Sequence, residues 1–261
     1  MRTNLVFGAG AVARVSDLDR SAFLVTDPGV VAAGHVARVE ALLAAKGVET
    51  RRFDAVRVNP TEDDVQNCRS AFGDWDADWL IAIGGGSSID VAKGCAMLLT
   101  GGGRMRDYQG RNSIQGVMPL VVAIPTTAGT GSEVQSFALI GNVDTGQKMA
   151  CGGDAPAIAI LDPELTLSQP RLVTACSGLD VLAHAVETAV TRAKTPFSAM
   201  YSREAFRLAE RNLAQVLDNP DGLEARGGML RASAYAGIAI ENSMLGAAHS
   251  MANPLTAHHG I

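Results

Sequence analysis

The first 163 residues alternate short apolar runs with amphipathic stretches, and each run stops at Gly, Pro or Asp, the pattern of repeated strand–helix units. Residues 22–26, 48–53, 78–83, 120–124 and 157–161 read as strands. The last three are apolar at nearly every position, which predicts strands covered on both faces, hence a parallel sheet between helices. Helical spacing over 31–46, 61–72 and 88–99 supplies the covering layers.

After Asp162 and Pro163 the β-rich runs cease, and helices are expected near 171–192, 196–217 and 222–252. In the second, Ala199, Ala205, Leu208, Ala209 and Leu213 recur at helical spacing between charged residues. The expected organisation is an α/β unit over 1–165 followed by an all-helical unit over 166–261, joined through 163–170.

Composition narrows the function classes. The 261 residues are 47% hydrophobic and 19% charged, with a formal charge of −5. There is no basic excess to neutralise phosphates, so no nucleic-acid partner is expected. No apolar run approaches the roughly 18 residues of a membrane span, and the first ten residues do not resemble a signal peptide. The expectation is a cytoplasmic protein without a membrane partner. Cys68, Cys95, Cys151 and Cys176 are scattered without a CxxC pair and are expected as buried thiols.

Three stretches carry candidate chemistry. Residues 79–93 (WLIAIGGGSSIDVAK) are a strand, a triple-glycine turn and a helix start. Unpaired amides at such a helix start can cradle a pyrophosphate, and glycines let it approach. The same residues suit a tight turn capped by Ser87 or Ser88. Residues 124–133 (IPTTAGTGSE) place Thr126, Thr127, Thr130 and Ser132 after another strand, where open α/β sheets bind ligands. The alternative there is a short helix capped by Thr130 or Ser132, with Glu133 in its first turn. Asp180 and His184 lie four residues apart on one helical face, a chelating arrangement for a divalent metal, with His249 the candidate third donor. An Asp180–His184 hydrogen bond and a core His249 are the alternative. Glu187 reads as a surface carboxylate or a support for a ligand rather than a ligand.

The segments GGGSSID (84–90), PTTAGTGSE (125–133), LDPELT (161–166), GLDVLAHAVE (178–187) and AAHSMANPLTAHHG (247–260) occur in that order. Together they resemble the iron-containing, or group III, alcohol dehydrogenases. The resemblance implies a dehydroquinate synthase-like architecture, in which a Rossmann-like parallel-sheet α/β domain binds NAD(P) and an all-α domain holds a metal across a cleft. It places Asp27 at the adenosine ribose, favouring NAD over NADP. Gly84, Gly85, Gly86, Ser87 and Ser88 fall at the pyrophosphate. Thr126, Thr127, Thr130 and Ser132 fall along the adenine and nicotinamide halves, Lys148 at the nicotinamide ribose and Leu167 at the adenine. Asp180, His184 and His249 become three ligands of Fe(II) or Zn(II). The implied activity is hydride transfer between nicotinamide and a small alcohol or aldehyde, and the resemblance leaves room for a homo-oligomer. A dehydroquinate synthase-like lyase and a non-catalytic nucleotide-binding fragment are the alternatives.

Two departures qualify the resemblance. The family's last metal ligand is a His followed by Gly that would fall past Ile261; His259 and Gly260 imitate the motif closer to His249. Many members also carry a His where this chain has Asn253. The expectation is a fragment or short form that binds NAD, holds metal weakly or not at all, and has little or no dehydrogenase activity.

Overall fold

The computed structural model describes residues 3–110, 114 and 116–259. Eight strands occur among them, β1 (Asn4–Phe7), β2 (Ser21–Val25), β3 (Glu49–Phe53), β4 (Trp79–Gly84), β5 (Leu120–Pro125), β6 (Phe137–Gly141), β7 (Lys148–Gly152) and β8 (Ile158–Leu161). Six form one sheet in the order β1-β8-β5-β4-β2-β3, with every neighbouring pair parallel. The remaining two, β6 and β7, make a separate antiparallel hairpin.

Successive side chains on a strand point to opposite faces, and the sheet builds two cores accordingly. Phe23, Val25, Leu80, Ala82, Val121 and Ala123 enter one core, with Val65 and Cys68 of α3 (Glu62–Phe72) and Ile89 and Cys95 of α4 (Gly86–Gly101). Leu24, Ile81, Ile83, Val122 and Ile124 enter the other, against Val36, Val39 and Leu43 of α2 (His35–Ala44). The apolar runs of β4 and β5 are thus explained by burial on both sides.

From Arg171 onward the elements are helices: α5 (Arg171–Val190), α6 (Pro196–Asp218), α7 (Leu223–Glu241) and α8 (Ala247–His259). Thr174, Gly178, Val181, Ala185 and Thr188 form the buried stripe of α5. Gly178 is needed there, because a Cβ would come within 2.3 Å of a Leu213 methyl on α6. Small residues let α7 sit at the centre, buried through most of its length.

Several expectations need correction. The helix expected over 31–46 is two pieces, α1 (Pro28–Ala32) and α2, divided at Gly34, whose φ is +81°. The helix expected over 222–252 breaks between Glu241 and Ala247, where Met244 takes a φ of +66°. Strand β1 and the β6–β7 hairpin were not foreseen. Cys68, Cys95 and Cys151 are buried, but Cys176 is exposed, because it falls off the buried stripe of α5. No helix among the described residues is long and apolar enough to cross a membrane.

Candidate nucleotide and metal sites

Strand β2 leads through its helices to β3 on one side, while β4, β5 and β8 follow on the other. The carboxyl ends of β2 and β4 therefore face the switch point of the sheet, where open α/β sheets bind ligands. Asp27 follows β2 and Gly84–Gly86 end β4. Asp27 caps α1 by accepting from the amides of Gly29 (2.9 Å) and Val30 (3.1 Å). Gly84 has a φ of +151°, and a Cβ on it would meet Ser88 Oγ at 2.5 Å, so only glycine fits.

Helix α4 has Gly85 as N-cap with no side-chain cap, which corrects the expected capping by Ser87 or Ser88. Its first amides stay open to a ligand. Ser88 is fully buried and its hydroxyl donates to Asp27 (3.3 Å); it supports Asp27 rather than presenting a hydroxyl to the cleft.

A cavity of about 630 Å³ is lined by Asp27, Gly85, Gly86, Ser87, Thr126, Thr127 and Thr130, among others. Leu167, expected on its wall, is not there: it ends the Pro163–Thr166 turn with 38% of its surface exposed, and Ser168, Gln169 and Pro170 form the wall instead. A second cavity of about 390 Å³ is lined by Phe137, Lys148, Asp180, His184, His249 and Asn253. The two share Gly86, Ser87 and Thr130, so they meet at the start of α4.

Ser132 lines the second cavity but is held from behind. Its hydroxyl bonds Asp90, and it accepts from Lys93 Nζ (2.7 Å). Lys93 is fully buried and also donates to the carbonyls of Ser132, Gln135 and Phe137, beside Asp90 at 2.9 Å. This crosslink fixes the loop and β6 against α4, and the sequence reading missed it. A short turn, Ser132–Val134, does follow the loop, but Gly131 precedes it without a side-chain cap. Glu133 within it is buried, and burial pushes its carboxyl up to about 7 despite Lys93 nearby.

At the other end of the second cavity, Asp180 and His184 of α5 and His249 of α8 converge. Asp180 Oδ1 lies 3.4 Å from His184 Nε2 and 3.3 Å from His249 Nε2, and the two imidazole nitrogens are 3.1 Å apart. Ligands about 2.0–2.2 Å from one ion stand roughly 3.0–3.5 Å from each other in tetrahedral or octahedral geometry, so this triangle fits a divalent metal. Burial lowers the His184 pKa, with Asp180 countering it. Hydrogen bonding to Asp180, with a further contribution from Glu187, raises that of His249. His259 lies in the last turn of α8, and Gly260 falls outside the described residues.

The family model described as "Iron-containing alcohol dehydrogenase" matches residues 2–163, and "Fe-containing alcohol dehydrogenase family, C-terminal" matches 174–261. The chain belongs to the iron-containing alcohol dehydrogenase family. It is 35% identical to alcohol dehydrogenase 4 of Schizosaccharomyces pombe, over 98% of this chain and 62% of that protein. It is 34% identical to the NAD-dependent methanol dehydrogenase of Bacillus methanolicus, over 98% of this chain and 70% of that protein. Among solved structures, a 1,3-propanediol oxidoreductase superposes with a TM-score of 0.94 at 33% identity, over 98% of this chain and 69% of that one. This iron-containing alcohol dehydrogenase family member thus spans between three fifths and three quarters of the length of these relatives.

Proposed function

We propose that the chain interconverts small alcohols and aldehydes using NAD(H) and one divalent metal, Fe(II) or Zn(II), held by Asp180, His184 and His249. The observation that carries this reading is the junction of two cavities at the start of α4, one running to Asp27 and the other to the three-donor cluster. It leaves a continuous track for a dinucleotide whose reactive end faces the metal donors. The residue span 1–165 supplies most of the nucleotide track, and 166–261 supplies the metal donors together with the wall at Ser168, Gln169 and Pro170.

In this reading the amides opening α4 take the pyrophosphate, with Thr127 and Thr130 beside it. Asp27 accepts from the ribose hydroxyls and repels a 2′-phosphate, so NAD is preferred over NADP. Lys148 sits on the wall of the cavity that receives the nicotinamide end. When bound, the metal supplies Lewis-acid polarisation of the substrate oxygen, and the nicotinamide supplies hydride exchange. Asn253, one helical turn beyond His249, lines the same cavity. Its amide can orient a substrate oxygen, but it does not titrate and so cannot relay the proton. That proton leaves through water or a ribose hydroxyl.

The test is NADH formation from a panel of short alcohols, with the protein loaded anaerobically with Fe(II) or with Zn(II). Turnover should require both metal and alcohol, and Asp180→Ala should lose metal retention and turnover together. NADH should accumulate, whereas a dehydroquinate synthase-like lyase would return its NAD unchanged. NAD binding without metal-dependent turnover would instead support a nucleotide-binding role alone.

A further inference from the structure

Asp180, His184 and Glu187 are spaced four and three residues apart, one stripe of α5. The first two face the metal position, while Glu187, 6% exposed, reaches across to α8. Glu187 Oε1 accepts from the amides of Ala248 (2.6 Å) and His249 (3.3 Å), and Oε2 bonds His249 Nδ1. Both oxygens are committed, so Glu187 is not itself a metal donor. Gly246 eases the approach, since a Cβ there would lie 3.2 Å from Oε1, a tight contact.

An ionised carboxylate can only accept hydrogen bonds, so Nδ1 of His249 must carry the hydrogen. In the neutral ring Nε2 then presents its lone pair to Asp180 and His184 Nε2. That lone pair and the Asp180 carboxylate oxygen, 3.3 Å apart, converge on one point with His184 Nε2 3.1–3.4 Å from each, a position that suits a cation. The same carboxylate occupies the open amides at the start of α8, where a negative charge is favoured.

Building on the proposed metal site, we propose that Glu187 is its positioning residue. One carboxylate docks the first turn of α8 onto α5 and fixes His249 as the tautomer whose Nε2 is free for the metal. Metal affinity and the seating of α8 are therefore coupled through one side chain.

Glu187→Gln separates the two roles. Its amide oxygen can still accept from Ala248, but its N–H then faces Nδ1 and forces the hydrogen onto Nε2, into the metal position. The reverse orientation sets N–H against the Ala248 N–H. Metal affinity, measured by chelator competition, should fall at least tenfold, within the usual 10–100-fold effect of such partners. NAD affinity and helix content should stay unchanged, and Glu187→Asp should recover part of the metal affinity. Nitrogen-15 correlation spectra of the metal-free protein at alkaline pH should show Nδ1–H on His249 in the wild type and Nε2–H in Glu187→Gln. An Nε2–H form in the wild type, or a Gln variant with wild-type metal affinity, overturns the role of Glu187. A wild-type protein that retains neither Fe(II) nor Zn(II) overturns the metal reading and this inference with it.

Discussion

Asp27 holds α1 by its N-terminus and, in the proposed function, meets the adenosine ribose. Replacing it with alanine would mix loss of the cap, about 1 kcal/mol, with loss of the charge. Asp27→Ser keeps a capping oxygen and removes only the charge that repels a 2′-phosphate. The preference for NAD over NADP, taken from the two dissociation constants, should narrow at least tenfold in this variant. Equal binding of both nucleotides by the wild type would show that Asp27 does not discriminate. Glu133 makes a different demand. Its pKa near 7 in the folded chain lies above the value of about 4.3 in an unfolded one, so the folded state holds a proton that the unfolded state has released. Stability from this group is full below about pH 4 and is lost as the pH rises to about 7, by roughly 4 kcal/mol in all. Glu133→Gln mimics the protonated form. The variant should unfold at higher denaturant than the wild type at pH 8, with the gap closing near pH 4. An identical pH dependence of the two proteins would show that Glu133 is ionised when folded.

Elements meet at close backbone contacts. A Cβ on Gly237 of α7 would lie 2.4 Å from the carbonyl oxygen of Gly131, and one on Gly131 would lie 2.6 Å from Gly237 Cα. Ser233, one turn earlier, accepts from the amides of Gly129 (3.0 Å) and Gly131 (3.2 Å). The threonine-rich loop after β5 is thus seated on α7, not only on the sheet. Gly237→Ala forces backbone apart and should cost about 1–3 kcal/mol, lowering Tm by about 3–10 °C, with NAD affinity reduced because Thr126–Ser132 shift. A variant that melts like the wild type would show that the loop yields freely. The sequence made the strands β2, β4 and β5 legible, since burial on both faces leaves no polar position in their central residues. It also marked Gly84–Gly86 and the Asp180–His184 pair, whose chemistry depends on local spacing. It did not show the break before α8, because Asn242 and Gly246 are isolated signals of a kind that a helix also tolerates. Nor did it show the Lys93 crosslink, whose partners are mostly backbone carbonyls about 40 residues away. The β6–β7 hairpin had a readable signal in the alternation around a turn, where the Asn142 side chain accepts from the amides of Asp144 and Thr145.

Across the molecule, the proposed nucleotide track runs mainly along the carboxyl ends of the sheet and the proposed metal donors stand on helices, so the proposed chemistry depends on how the two halves are joined. The join begins at Asp162, wholly buried, whose carboxylate accepts from the amides of Gly10 (3.2 Å), Val12 (3.0 Å) and Glu164 (3.0 Å). It secures the turn after β1, and among the described residues β1 itself pairs in the sheet only with β8, Phe7 lying opposite Leu161. During synthesis on the ribosome, β1 therefore leaves the exit tunnel long before its sole partner has been made. At 5–20 residues per second the delay is roughly 8–30 s. For that interval Leu5 and Val6 lack the strand they pair with in the sheet, and the nascent chain must keep this segment from pairing elsewhere until the last strand of the sheet arrives.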